Sequence, residues 1–105
     1  MQKRLEYYKN LRESENIEMV KGTITVNNKS GLHLRPASEL SKIAGKLQSE
    51  ITIVKGNMRV NPKSVLMLMS AGIVKGTTID IECEGETEEA DLRVMLDAIA
   101  GGLGE

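Results

Sequence analysis

The chain has 105 residues, 14 Lys or Arg against 15 Asp or Glu, and a formal net charge of -1, so it holds one small core and carries no basic excess for nucleic acid. Trp and Phe are absent and the only tyrosines are Tyr7 and Tyr8, which leaves no aromatic platform for stacking bases. One cysteine forbids an internal disulfide and suits a reducing cytoplasm, and no apolar run reaches the ~20 residues of a membrane span or marks a signal peptide.

Residues 1–19 are polar and charged. Leu5, Tyr8 and Leu11 recur every three residues, which allows a short amphipathic helix, but the stretch is too short to hold one unaided. Loose docking or disorder is expected there, with the domain proper over 20–105. Ile24 and Val26 then alternate with Thr23 and Thr25, the pattern of a strand.

Next comes Gly31-Leu32-His33-Leu34-Arg35-Pro36-Ala37. Pro36 belongs in a helix's first turn or outside a helix, because it lacks an amide donor. Ala37, Leu40, Ile43, Ala44 and Leu47 follow at helical spacing and predict a helix over about 34–47. His33, the only histidine, therefore stands at the helix start, where free amides and the dipole favour an anion. The backbone of Leu34 and Arg35 supplies those amides, and the Arg35 side chain adds a fork suited to phosphate oxygens. An imidazole beside such donors can accept and hold a phosphoryl group; the bland reading is a helix cap or an ordinary surface residue.

Ile51 and Ile53 form a second strand and Met58 to Val60 a third, joined by Gly56-Asn57, a two-residue hairpin loop. Ser64 then stands where an N-cap would sit, ahead of Val65, Leu66, Met67, Leu68 and Met69. A helix turns fully in about 3.6 residues, so five successive apolar side chains cannot share one core. Some of these five are expected to be exposed as an adaptable docking surface; the alternative is a short helix buried nearly all round. Ser64 as a cap is a structural device worth about 1 kcal/mol, and a phosphate there would also suit the positive helix end.

Ile79, Ile81 and Cys83 alternate with Thr78, Asp80, Glu82 and Glu84 in the clearest half-buried strand, which makes Cys83 a core residue. Thr87 is the expected N-cap of a last helix, with Glu88, Glu89 and Asp91 in its first turn and Leu92, Met95, Leu96 and Ile99 as its buried stripe. Gly101-Gly102 ends that helix, and Gly104 completes a tail expected to be mobile. The order β-α-β-β-α-β-α, with one apolar face per strand, predicts an α+β open-faced sandwich: a four-stranded antiparallel sheet with three helices on one face. One histidine and one buried cysteine leave too few ligands for a metal, and no acid–base pair suggests a freestanding hydrolase.

The heptapeptide around His33, Lys63-Ser64 before a Met-rich helix ending in Ala71-Gly72, Lys75-Gly76 and the Glu84-Gly85-Glu86 turn together resemble HPr, the histidine-containing phosphocarrier of the bacterial sugar phosphotransferase system. The resemblance covers about residues 20–105. It implies a covalently phosphorylated relay carrier without a cofactor, not an independent enzyme: His33 takes phosphate on Nδ1 from Enzyme I, charged by phosphoenolpyruvate, and gives it to IIA domains of sugar permeases. Arg35 matches the family's phosphate-stabilising arginine. Ser64 matches the regulatory serine modified by HPr kinase/phosphorylase, whose phosphorylated form binds a catabolite-control repressor. Three departures stand out: Leu34 where many members have a small residue, Pro62 where a leucine is common, and the 1–19 extension. The rival function is a Crh-like regulator acting through Ser64 and the 65–69 patch; relatives of that kind replace the histidine, which this chain keeps. A nitrogen-related branch of the carriers would share the chemistry and differ in partners.

Overall fold

The computed structural model describes residues 19–105, so the periodic segment of Leu5, Tyr8 and Leu11 lies outside the described residues. The elements follow in the predicted order: β1 (Val20–Thr25), α1 (Leu34–Gly45), β2 (Glu50–Lys55), β3 (Met58–Val60), α2 (Val65–Ser70), β4 (Thr78–Glu84) and α3 (Glu88–Ala100). The strands form one sheet in the order β1-β4-β2-β3, with every neighbouring pair antiparallel.

Two-residue alternation decides the sheet's faces. Register sets Val20 and Ile51 opposite Cys83, and Ile53 opposite Ile81, so these buried side chains share one face. They join Ala37, Leu40 and Ala44 of α1, Leu68 of α2, and Met95 and Ile99 of α3 in one apolar cluster. The opposite face is polar: Thr23 Oγ1 donates to Asp80 Oδ1 at 2.6 Å, the Thr25 and Thr78 hydroxyls meet at 2.8 Å, and Arg59 pairs with Glu82 at 2.6 Å. Exposed pairs of this kind contribute ~0–1 kcal/mol, so the buried face dominates the sheet's stability. At Gly22 a Cβ would come within 2.9 Å of Leu96 Cδ1, and glycine is what lets α3 lie close over β1.

Cys83 is free and fully buried. Burial, reinforced by the nearby Asp91 carboxylate and opposed by Lys63, pushes its thiol up to about 12. It is a packing residue, since the thiolate is the reactive form.

Four local expectations are corrected. The helix expected to reach residue 47 stops at Gly45; the amides of Lys46 and Leu47 turn back to the carbonyls of Ile43 and Ala44, and Leu47 still packs on the core. Thr87 occupies the N-cap position of α3 but makes no side-chain cap bond. Its hydroxyl instead donates to Asp91 Oδ2 at 2.7 Å, which also accepts from Ser49 N at 3.0 Å and Ser49 Oγ at 2.6 Å. Burial raises the Asp91 carboxyl, but the bonds from Ser49 and Thr87 outweigh it and hold it below the usual range. Third, Leu68, expected within the docking patch, is fully buried; it lies on the side of α2 that faces the core.

The fourth correction concerns the segment after α3. Gly102, at φ +86°, turns the chain, Leu103 is buried in the core, and the Glu105 side chain is hydrogen-bonded. The glycines make a turn that returns the chain to the domain, rather than a loose tail.

Candidate phosphoryl-acceptor site

The loop before α1 is fixed by a close backbone approach. Gly31 has φ +63°, and a Cβ there would lie 2.5 Å from the Ile73 carbonyl oxygen and 2.6 Å from Val74 Cα. Only glycine fits both the left-handed backbone and the contact. The next amide, of Leu32, donates to that same Ile73 oxygen at 2.9 Å, and the Leu32 side chain is buried. The chain is thus pinned immediately before His33.

His33 is the N-cap of α1, with extended backbone (φ -89°, ψ -166°) and no side-chain cap bond. Its carbonyl accepts the first helical bond, from Ala37 N at 2.8 Å. The bland reading of His33 as a side-chain cap therefore fails: the ring is exposed and uncommitted to the backbone. Pro36, buried in the first turn, has no amide to give. The amides of Leu34 and Arg35 have no acceptor among the described residues, and the Arg35 side chain is exposed. Leu34 is exposed beside them, and Ser38 Oγ donates to its carbonyl at 2.7 Å. An exposed ring, two free amides and a guanidinium on one helical turn suit an anion that arrives from solvent.

Ser64 lies elsewhere, at the start of α2. Its hydroxyl accepts from Met67 N at 3.2 Å, the cap anticipated from the sequence. Ser41 Oγ, about two turns along α1 from His33, donates to the Lys63 carbonyl at 2.9 Å and ties the two helices together. The Lys63 ammonium donates to the carbonyls of Leu47 and Ser49, both at 3.1 Å, and so braces the connection between α1 and β2. In α2, Leu66 is 78% exposed, Met67 and Met69 about half as much, and Val65 packs partly on the core. The apolar surface is therefore Leu66, Met67 and Met69, with Leu34 on the neighbouring helix.

Asn28, Ser30 and Glu105 were not anticipated. Glu105 Oε1 accepts from Asn28 Nδ2 at 3.0 Å and Ser30 N at 3.1 Å, and Asn28 Nδ2 also donates to the Gly31 carbonyl. The bond from Asn28, then that from Ser30, holds the Glu105 carboxyl below the usual carboxylate range, and the nearby His33 ring adds a smaller pull. The signal available in the sequence was Leu103, a large apolar residue among glycines.

The family model for PTS-HPr, described as the PTS HPr component phosphorylation site, matches residues 20–101. The phosphocarrier protein HPr of Neisseria meningitidis is 38% identical over 87 residues, covering 83% of this chain and 98% of the relative. Among solved structures, HPr-C-His from Thermoanaerobacter tengcongensis superposes with a TM-score of 0.78 at 37% identity, over 82% of this chain and 97% of that one. Crh, the catabolite repression protein of Bacillus subtilis, gives a TM-score of 0.64 at 29% identity, over 78% and 94%. The fold and the site define a small phosphoryl-carrier domain of the open-faced sandwich type. The chain belongs to the HPr family, the phosphocarriers of the phosphotransferase system.

Proposed function

We propose that His33 is the phosphoryl acceptor, loaded by Enzyme I and unloaded to IIA domains of sugar permeases in the cytoplasm. The observation that carries this reading is an exposed imidazole at a helix start, making no cap bond beside two amides that have no acceptor among the described residues. A neutral ring nitrogen attacks phosphorus; its lone pair forms the new N–P bond as the donor's bond to phosphorus breaks. The amides of Leu34 and Arg35 and the Arg35 guanidinium then hold the transferred oxygens. These contacts are few and solvent-exposed, which keeps the group transferable. Positioning and charge stabilisation are most of what phosphoryl transfer requires, and the partner supplies much of both. The carrier unit is residues 20–105, with 1–19 a separate extension.

The test is incubation with phosphoenolpyruvate and Enzyme I. An acid-labile phosphate on the wild type, absent in His33→Ala, is expected. A wild-type mass that stays unmodified would overturn the reading.

Ser64 is proposed as a second, regulatory phosphosite for HPr kinase/phosphorylase, with Leu66, Met67 and Met69 offered to a catabolite-control repressor and to the relay partners. The purely regulatory alternative has less support, because the likeness to Crh is weaker and His33 is present and exposed.

A further inference from the structure

The loop that delivers His33 is held on two sides. On one, Ile73 and Val74 lie close against Gly31, and the Ile73 carbonyl accepts the Leu32 amide. On the other stands a single carboxylate that chain order places far from the site. Glu105 Oε1 gathers two donors from the loop, Asn28 Nδ2 and Ser30 N, both within the five residues before His33.

The Asn28 side chain shows what that carboxylate controls. It is 4% exposed, and its amide nitrogen serves both Glu105 and the Gly31 carbonyl. Its oxygen, Oδ1, is buried with no partner among the described residues. A buried acceptor without a donor is unfavourable, so this amide orientation persists because two acceptors claim the nitrogen. Glu105 is one of them. Leu103, buried in the core, anchors the segment that carries it.

We infer that Glu105 is a positioning residue for the phosphoryl acceptor: through Asn28 and Ser30 it holds the 28–32 loop so that His33 and the first amides of α1 are presented together. Glu105 does not touch the transferred group; it acts through the loop. This role rests on the carrier reading of His33.

The experiment compares wild type, Glu105→Ala and Glu105→Gln as substrates for phosphorylated Enzyme I, with the backbone amide resonances of Ser30, Gly31 and His33 recorded for each. Glu105→Ala is expected to lower the maximal loading rate about tenfold, as small misplacements of reacting groups do. The concentration giving half-maximal rate stays unchanged, because Glu105 makes no contact with the donor. The three amide resonances shift or broaden together. Glu105→Gln keeps an oxygen able to accept from Asn28 and Ser30, and is expected to restore most of the rate and the wild-type resonances. Since Leu103 is untouched, both variants retain the core anchor. Loading of Glu105→Ala at the wild-type rate, or Gln no better than Ala, would overturn the inference alone. A wild type that takes no phosphate would bring down the carrier reading and this role with it.

Discussion

Arg35 and Ser64 occupy comparable positions, each within a turn of a helix start, yet their side chains are committed differently. Arg35 is exposed and meets no carboxylate among the described residues, which leaves its fork open to an anion. Arg35→Lys keeps the charge but loses the planar geometry; transfer to and from His33 is expected to slow while thermal unfolding stays within a degree or two of wild type. Unchanged transfer kinetics would remove Arg35 from the chemistry. The Ser64 hydroxyl is already employed as the cap of α2. Ser64→Ala is expected to cost about 1 kcal/mol in urea unfolding, whereas Ser64→Asp keeps a capping oxygen and most of that stability. Both positions at helix starts were legible in the sequence because they depend on local chain order, and the Ser64 cap is seen in the structure. The sequence could not point to Glu105, whose bonds reach residues more than seventy positions earlier.

Helix α2 shows where element-level reading stops. A run of five apolar residues establishes that some must face outward, but not which, because a six-residue helix has too few turns to display a periodic stripe. The three-dimensional answer puts Leu68 in the core and leaves Leu66 at 78% exposure. Leu68→Ala is therefore expected to destabilise by about 2–5 kcal/mol, and Leu66→Ala by about 0.5 kcal/mol or less. Urea midpoints give the first comparison, and transfer rates show whether Leu66 matters to partners while stability does not. The β4 strand was legible throughout, since seven residues of strict alternation admit one buried face. Thr87 takes the expected N-cap position of α3 without the side-chain bond, because Asp91, one turn on, competes for its hydroxyl and wins.

At the scale of the whole molecule, Asp91 joins the α1–β2 connection to the start of α3 through Ser49 and Thr87. Its folded carboxyl is held below the ordinary value, so the folded state favours the charged form. That contribution is fully present above the unfolded pKa of about 3.9, and disappears as pH falls through the depressed folded value. Stability measured from pH 7 down to 3 is expected to fall in wild type; Asp91→Asn starts about 1–3 kcal/mol lower and falls less steeply. The strand order has a different consequence, one that concerns time. Thr25 lies beside Thr78, 53 positions later, and contacts spanning that much chain form slowly because a long loop must close first. During synthesis His33 emerges ahead of both the Ile73 carbonyl that pins its loop and β4, the partner strand of β1. A nascent chain can carry the ring without its setting, so on the proposed reading competence to receive phosphate waits for those later segments.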